Sequence, residues 1–182
     1  MTNKNTVLSI GFINSRGQTG LNSSKQAQIE SFVVKNKIDV LNLQEIHISD
    51  DSFSNSKIIS SSYNIISNNS PSKYGTASLI RTDFTPENIL LDSHGRTIIF
   101  NIGSLTLGNL YLPSGNDQTS RASRENYCSE IIPKLLTNRL NSGLIGGDLN
   151  CIIDKNDCTH NHAAKMSPSL SRMIKTFNME DS

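Results

Sequence analysis

Gly146-Gly147-Asp148-Leu149-Asn150 sets a carboxylate and an amide two residues apart, directly after the apolar pair Leu144-Ile145. Side chains alternate along extended chain, so Asp148 and Asn150 are expected on one side with Leu149 on the other. The two glycines are read as letting the backbone turn tightly at the strand end. A carboxylate beside an amide suits phosphate-ester chemistry. The carboxylate can orient a water, and the amide can donate to a phosphoryl oxygen. The same five residues also read as a polar turn in which Asp and Asn cap the backbone. Three further polar residues of catalytic type close apolar runs: Asn14 after Val7–Ile13, Glu45 after Ile38–Leu43, and Tyr111 after Leu105–Leu110. Glu45 offers a hard oxygen, which suits Mg²⁺ held through few carboxylates and several waters. Tyr111 could donate to, or act at, a phosphoryl oxygen.

These residues can cooperate only if a packed sheet carries them to one rim. The pattern supplies the elements. Val7–Ile13 and Ile38–Leu43 read as buried strands, and Gly17 to Asn22 as a loop. Ser23 opens a helix with Gln26 as its capping-box partner, Ile29, Phe32 and Val33 on its apolar face, and Lys35-Asn36-Lys37 at its close. Residues 49 to 72 are rich in Ser and Asn and read as loop around a short strand near Tyr63 to Ile66. Gly75–Arg81, Arg96–Ile102 and Leu105–Tyr111 are strand patterns, the last two a hairpin across Gly103-Ser104. A helix is expected near Ser123 with Tyr127, Ile131, Leu135 and Leu136, kinked or delayed by Pro133. Asp154 to Ser167 reads as loop. Ser167-Pro168 then starts a helix whose apolar face is Leu170, Met173, Ile174 and Phe177. The mixture predicts one α+β or layered α/β domain over residues 1 to 182.

Bulk properties narrow the classes. A formal charge of +1 gives no global nucleic-acid footprint, so any DNA or RNA contact needs a local basic patch. Arg121 and Arg124 are read as a solvated surface pair or as a grip on a phosphate backbone. Three cysteines without dense spacing argue against a disulfide scaffold and for a reducing compartment. No secretory leader pattern or run of membrane-spanning length is present. Gly17 to Ser24 lacks the lysine of a phosphate-binding loop, and Cys151, Cys158, His160 and His162 have the wrong spacing for a zinc knuckle. Gln44 reads as a residue that orients a neighbour, and His47 as a structural one.

Taken in order, Asn14, Leu43-Gln44-Glu45, Tyr111-Leu112-Pro113 and Gly146-Gly147-Asp148-Leu149-Asn150 resemble the endonuclease/exonuclease/phosphatase (DNase I-like) superfamily. Gln44-Glu45-Ile46-His47, Gly75-Thr76-Ala77, Gly95-Arg96 and the run through Cys151 look like its branch in LINE-type (non-LTR) retrotransposons. The resemblance implies a four-layered α/β/β/α sandwich and Mg²⁺-dependent phosphodiester cleavage, with Mn²⁺ as a substitute. It implies Glu45 as principal metal ligand with Asn14 close by, and Tyr111 against the scissile phosphate. Asp148 would position or deprotonate water, Asn150 would stabilise the phosphoryl group, and Arg96 would make a phosphate or structural contact. The implied partner is DNA and not a membrane, with action inside the cell, in the nucleus. Other phosphoesterases of the superfamily, acting on RNA or phosphoinositides, and a non-catalytic nucleic-acid-binding remnant are the alternatives. The superfamily closes with an Asp and then a Ser-Asp-His motif, whereas this chain stops at Met179-Glu180-Asp181-Ser182. The expectation is a C-terminally truncated domain lacking its last strands, a weak nuclease or none.

Overall fold

Alternation along single strands produces the layering. A computed structural model describes residues 7–16, 23–46, 57–69, 75–137, 142–158 and 165–180. Within them the order is β1 (Ile10–Asn14), α1 (Ser23–Lys35), β2 (Val40–Gln44), α2 (Lys57–Ser62), β3 (Tyr63–Asn69), β4 (Gly75–Arg81) and β5 (Glu87–Leu91). Then follow β6 (Thr97–Ile102), β7 (Leu105–Tyr111), α3 (Gln118–Asn126), a π-helical turn (Tyr127–Ile131), α4 (Ile132–Leu136), β8 (Gly143–Asp148) and α5 (Pro168–Thr176). One sheet runs β1-β2-β4-β3 and the other β5-β6-β7-β8. In β2, Leu41 and Leu43 pack with Ile29 and Val33 of α1, while Val40 faces the opposite way. In β6, Ile98 and Phe100 meet Val40 and Ile80 between the sheets, while Ile99 joins Tyr127, Ile132, Leu170 and Met173 beneath the helices. Three apolar layers therefore separate four structural layers, which is the predicted sandwich.

The layer between the sheets is graded. Val40, Ile80, Ile98, Phe100 and Leu107 fill one end with hydrocarbon. Toward the other end stand Asn42, Gln44, Ser78 and Asn109, all buried. Gln44 Nε2 donates to Asn109 Oδ1 at 2.8 Å, and Asn109 Nδ2 donates to Leu43 O at 3.1 Å and Ala77 O at 2.9 Å. The Gln44 and Asn109 amides, satisfied in this way, stitch the two sheets together at one end, because an unmet partner would cost about 1–3 kcal/mol. Gln44 thus links the two sheets through Asn109, and its side chain hydrogen-bonds none of the expected site residues, so the neighbour it orients is not a site group. The polar end is the rim that carries the site.

β4, β7, the start of α1 and the Ser167-Pro168 cap of α5 lie where the pattern places them; Ser167 Oγ accepts from Leu170 N at 3.1 Å. β6 and the Gly103 turn form the predicted hairpin with β7. β1 starts at Ile10 rather than Val7 and is only half-buried, and β2 spans Val40–Gln44. The helix expected near Ser123 begins at Gln118, because Asp117 caps it and accepts from Ser120 N at 2.9 Å. The chain then passes through the π-turn, so that Pro133 falls in the first turn of α4, where no N–H is required. α2 and β5 carry no readable signal. α2 buries Ile59 within a serine-rich segment, and β5 leaves Ile89 and Leu91 exposed. The predicted Gly17–Asn22 loop, His47, much of the 49–72 loop, His160, His162 and Asp181 lie outside the described residues. No helix of the described residues is long and apolar enough to cross a membrane.

Candidate active site at the strand-end rim

β1 pairs with β2 in parallel and β7 with β8 in parallel, matching Asn14 to Gln44 and Tyr111 to Asp148. Parallel partners finish at the same end, and the two pairs belong to sheets stacked face to face. Four strand ends thereby converge. Asn14 Nδ2 donates to Glu45 Oε1 at 3.1 Å and to Asp148 Oδ2 at 2.6 Å. Tyr111 OH donates to the same Glu45 Oε1 at 2.9 Å. Asn14, Glu45, Tyr111 and Asp148, from four strands, form one hydrogen-bonded cluster.

Glu45 reaches this cluster only through an unusual backbone. Strict alternation would send it to the face of Leu41 and Leu43, against α1. Its φ of 52° lies in the left-handed region, which re-aims the carboxylate toward Tyr111 between the sheets. For a residue with a Cβ this costs about 1–2 kcal/mol. Ser15 Oγ holds the kink by donating to Gln44 O at 3.0 Å and Glu45 O at 2.8 Å.

The glycine pair works differently from the sequence expectation. Gly146 and Gly147 lie within β8 and not in a turn after it. A Cβ on Gly146 would stand 2.7 Å from Phe12 Cζ, and one on Gly147 would stand 2.0 Å from Leu110 O at a φ of 133°. The glycines let β8 approach β7 and the Phe12 ring closely, which brings Asp148 up to Asn14. Gly147→Ala should destabilise the domain by about 2–3 kcal/mol, because both the φ and the contact forbid a Cβ. Urea denaturation checks this; a loss below about 0.5 kcal/mol would contradict it.

Asn150 also departs from the expected alternation. It lies beyond β8 at a φ of 50°, so it does not share a strand face with Asp148. Its N–H donates to Asp148 Oδ1 at 3.1 Å, and its Nδ2 donates to Leu112 O at 3.0 Å. The segment is therefore a capped turn and part of the rim at once. One oxygen of Asp148 closes the turn, the other faces Asn14, and Asn150 ties the turn to the segment after Tyr111.

Arg96 is 8% exposed and lies against Tyr111. Its guanidinium sits 4.9 Å from the Tyr111 ring centroid, and Nη1 donates to Tyr111 O at 3.2 Å. This is a positioning contact of cation–π type. Arg124 matches neither of its two expected readings. It is 2% exposed and donates to Pro113 O at 2.9 Å and Gly115 O at 2.6 Å, which shapes the loop after Tyr111.

Sequence reasoning missed Asp92. Its Oδ1 accepts from Asn68 Nδ2 at 2.9 Å, Arg96 N at 2.8 Å and Thr97 N at 2.7 Å. Its Oδ2 accepts from His94 N at 3.0 Å and Tyr127 OH at 2.9 Å. The run Asp92-Ser93-His94-Gly95 is a turn signature that could have flagged it. Beside it opens a cleft of about 420 Å³ lined by His94, Arg96, Ser114, Ser120 and Tyr127 among others.

Burial, the hydrogen bond to Glu45 and the negative charge of Glu45 push the Tyr111 phenol up to about 12, against the opposing effects of Ser114 and Arg96. The phenol is thus a neutral donor at ordinary pH. A folded-state value above the unfolded one stabilises fully below about pH 10 and is lost as pH climbs toward 12. The stability gap between the parent and Tyr111→Phe should therefore narrow from pH 9 to pH 11.5. A gap independent of pH, by denaturant titration, would contradict a perturbed phenol.

Neither a family model nor a curated relative matches the sequence. Solved structures do. An AP endonuclease from Archaeoglobus fulgidus aligns with a TM-score of 0.72 at 19% identity, over 94% of this chain and 70% of that one. The 3′ phosphatase NExo from Neisseria, bound to a product DNA hairpin, aligns at 0.71 and 16% identity, over 94% of this chain and 69% of that one. TDP2 from Caenorhabditis elegans aligns at 0.56 and 22% identity, over 84% of this chain.

The chain has a DNase I-like fold.

It spans about 70% of the archaeal structure and 50% of the worm one. Within the DNase I-like sandwich, the cluster of Asn14, Glu45, Tyr111 and Asp148 occupies the rim where both parallel strand pairs end. The two carboxylates fit a hard cation bound partly through water, whereas Asn14 turns its NH₂ and not its oxygen toward them. Among the described residues no group of three or more His, Cys, Asp or Glu is clustered as a softer or all-protein metal site would require. Asn14 Oδ1 faces away from the carboxylates and accepts from Arg16 N at 2.7 Å, so the amide NH₂ is what bridges them.

Proposed function

We propose that this chain hydrolyses phosphodiester bonds in DNA, as a nicking endonuclease of the type carried by LINE-like retrotransposons. The observation that carries the proposal is the hydrogen-bonded cluster joining Asn14, Glu45, Tyr111 and Asp148 across two sheets. The retrotransposon assignment rests on the ordered motifs around Glu45, Gly75, Arg96 and Asp148. Glu45 would hold Mg²⁺ or Mn²⁺, which would supply charge neutralisation at the phosphoryl oxygens, with Asn14 orienting the carboxylates through its NH₂. Asp148 positions a water and accepts its proton, because its Oδ2 faces the rim while Oδ1 is held by the Asn150 turn. Tyr111, neutral and fixed beneath Arg96, would turn its single hydroxyl proton from Glu45 to a phosphoryl oxygen when the cation occupies Glu45. Asn150 supports the phosphoryl group from the turn. The polar cleft beside Arg96 and Ser114 gives the DNA backbone a course away from the rim.

The test is nicking of supercoiled plasmid by the 182-residue chain in Mg²⁺, with chelator and Asp148→Ala as controls. Slow nicking is expected, abolished by the chelator and by the substitution. Cleavage that persists in either control would overturn the reading. A chain that binds DNA but never cleaves it would instead favour a nucleic-acid-binding role.

A further inference from the structure

Away from the rim, two nucleophilic groups lie side by side where a covalent change would reach it. Cys128 sits in the π-turn and is 1% exposed. Cys151 directly follows Asn150 and is partly exposed. Each thiol is the strongest influence on the other's ionisation, and the Ser167 side chain acts on both. Both cysteines pack in the apolar cluster formed with Leu170 and Met173 of α5. Arg124 and Glu125 are the charged groups that face the pair. The backbone on either side is anchored. Asn150 Nδ2 holds Leu112 O at 3.0 Å, Ile152 N donates to Lys165 O at 3.0 Å, and Ser167 N donates to Ile152 O at 3.0 Å. The hydrolytic chemistry proposed above uses neither thiol. A π-turn inside a helical segment is uncommon and concentrates at functional positions, and here it presents one of the two sulfurs.

We propose that Cys128 and Cys151 form an oxidisable dithiol, which a peroxide converts to a disulfide tying the Asp148-Leu149-Asn150 turn to the π-turn. Cys151 is the attacking sulfur, because it is the one a small oxidant can reach. The neighbouring Cys128 thiol and the charge of Arg124 hold its thiol below the ordinary range despite burial. Its thiolate attacks one peroxide oxygen, the O–O bond breaks, and hydroxide leaves and is protonated to water. The product is a sulfenic acid. The Cys128 sulfur then attacks that sulfur, the S–O bond breaks, and the departing hydroxyl takes the Cys128 proton as a second water. Two thiols lose two electrons, and the peroxide is reduced to two waters. Sulfurs in a disulfide stand about 2.0 Å apart, closer than two unlinked thiols can approach, so oxidation draws Cys151 and the neighbouring Asn150 toward the π-turn. Reduction by a small thiol releases them. Cys158 is the internal control, a partly exposed cysteine outside the pair.

The experiment treats the full chain with hydrogen peroxide, alkylates the remaining thiols and maps the peptides by mass. The expected product is an intramolecular Cys128–Cys151 link, lighter than the dithiol by about 2 Da and reversed by dithiothreitol, with Cys158 still alkylated. In Cys128→Ser the link disappears, and dimedone traps a sulfenic acid at Cys151. Amide exchange over residues 149 to 152 slows at least several-fold in the oxidised chain. A link that includes Cys158, or no link at peroxide levels that already oxidise Cys158, would overturn the proposal. Unchanged exchange at 149 to 152 would overturn its coupling to the turn. None of these readouts depends on DNA cleavage.

Discussion

Glu45→Gln should lower the proposed metal-dependent DNA cleavage at least about a thousand-fold, because it removes the charge proposed to hold the cation while leaving an oxygen for Tyr111. The glutamine oxygen can still accept from the Tyr111 hydroxyl and the Asn14 amide, which now meet at Glu45 Oε1. The denaturation midpoint should therefore stay within about 1 kcal/mol of the parent, which separates a lost site from a lost fold. Asp148→Asn should cost a comparable factor. Combining the two should add little, since groups that act as one unit are not additive. A companion variant isolates the backbone. Glu45→Gly should be more stable than Glu45→Ala by about 1 kcal/mol, because glycine accepts a φ of 52° freely. Wild-type nicking rates from Glu45→Gln would remove Glu45 from the chemistry.

Asp92→Ala should destabilise the domain by about 4 kcal/mol, the largest stability loss expected of any side chain near the site. Its carboxylate side chain is 2% exposed and gathers donors from β3, the turn before β6 and the π-turn. Truncation would leave Asn68 Nδ2, two backbone N–H groups beside β6 and the Tyr127 hydroxyl buried without this acceptor. The damage should reach the rim as well. Asp92 fixes the backbone of Arg96, and Arg96 lies over Tyr111. Tyr127→Phe, which removes one donor and no charge, should cost only about 1–2 kcal/mol. Chemical denaturation of both variants checks the ordering. If Asp92→Ala proves as mild as Tyr127→Phe, the carboxylate is not the hub that its hydrogen bonds describe.

Peroxide sensitivity of Cys128 and Cys151 would give the same rim a second input, through Asn150 instead of Glu45. The two inputs are separable, because the thiols contact the turn from the helix side while Glu45 faces it from between the sheets.

Much of the fold was legible in local pattern. Strands such as β4 and β7, and α5 with its Ser167 cap, fall where their residues place them. Their local preferences agree with their burial, so short-range physics and tertiary packing give one answer. β5 and α2 were hidden for the opposite reason. Exposed Ile89 and Leu91, and a serine-rich helix with Ile59 buried, carry little local preference, and they are held by neighbours distant in sequence.

The site divides in the same way. Residue types and their order along the chain already named Asn14, Glu45, Tyr111 and Asp148 as strand-end groups suited to phosphate chemistry. Only the stacking of two parallel strand pairs decided that their side chains meet within hydrogen-bonding distance. Tertiary structure also decided what alternation could not foresee. A left-handed Glu45 turns its carboxylate off the α1 face, and a left-handed Asn150 makes the Asp-Leu-Asn run a capped turn. Asp92 gains its weight only when β3, β6 and the π-turn surround it. Alternation and propensity are properties of neighbouring residues. Left-handed kinks and buried carboxylate hubs cost energy locally and exist because contacts from elsewhere in the chain outweigh that cost.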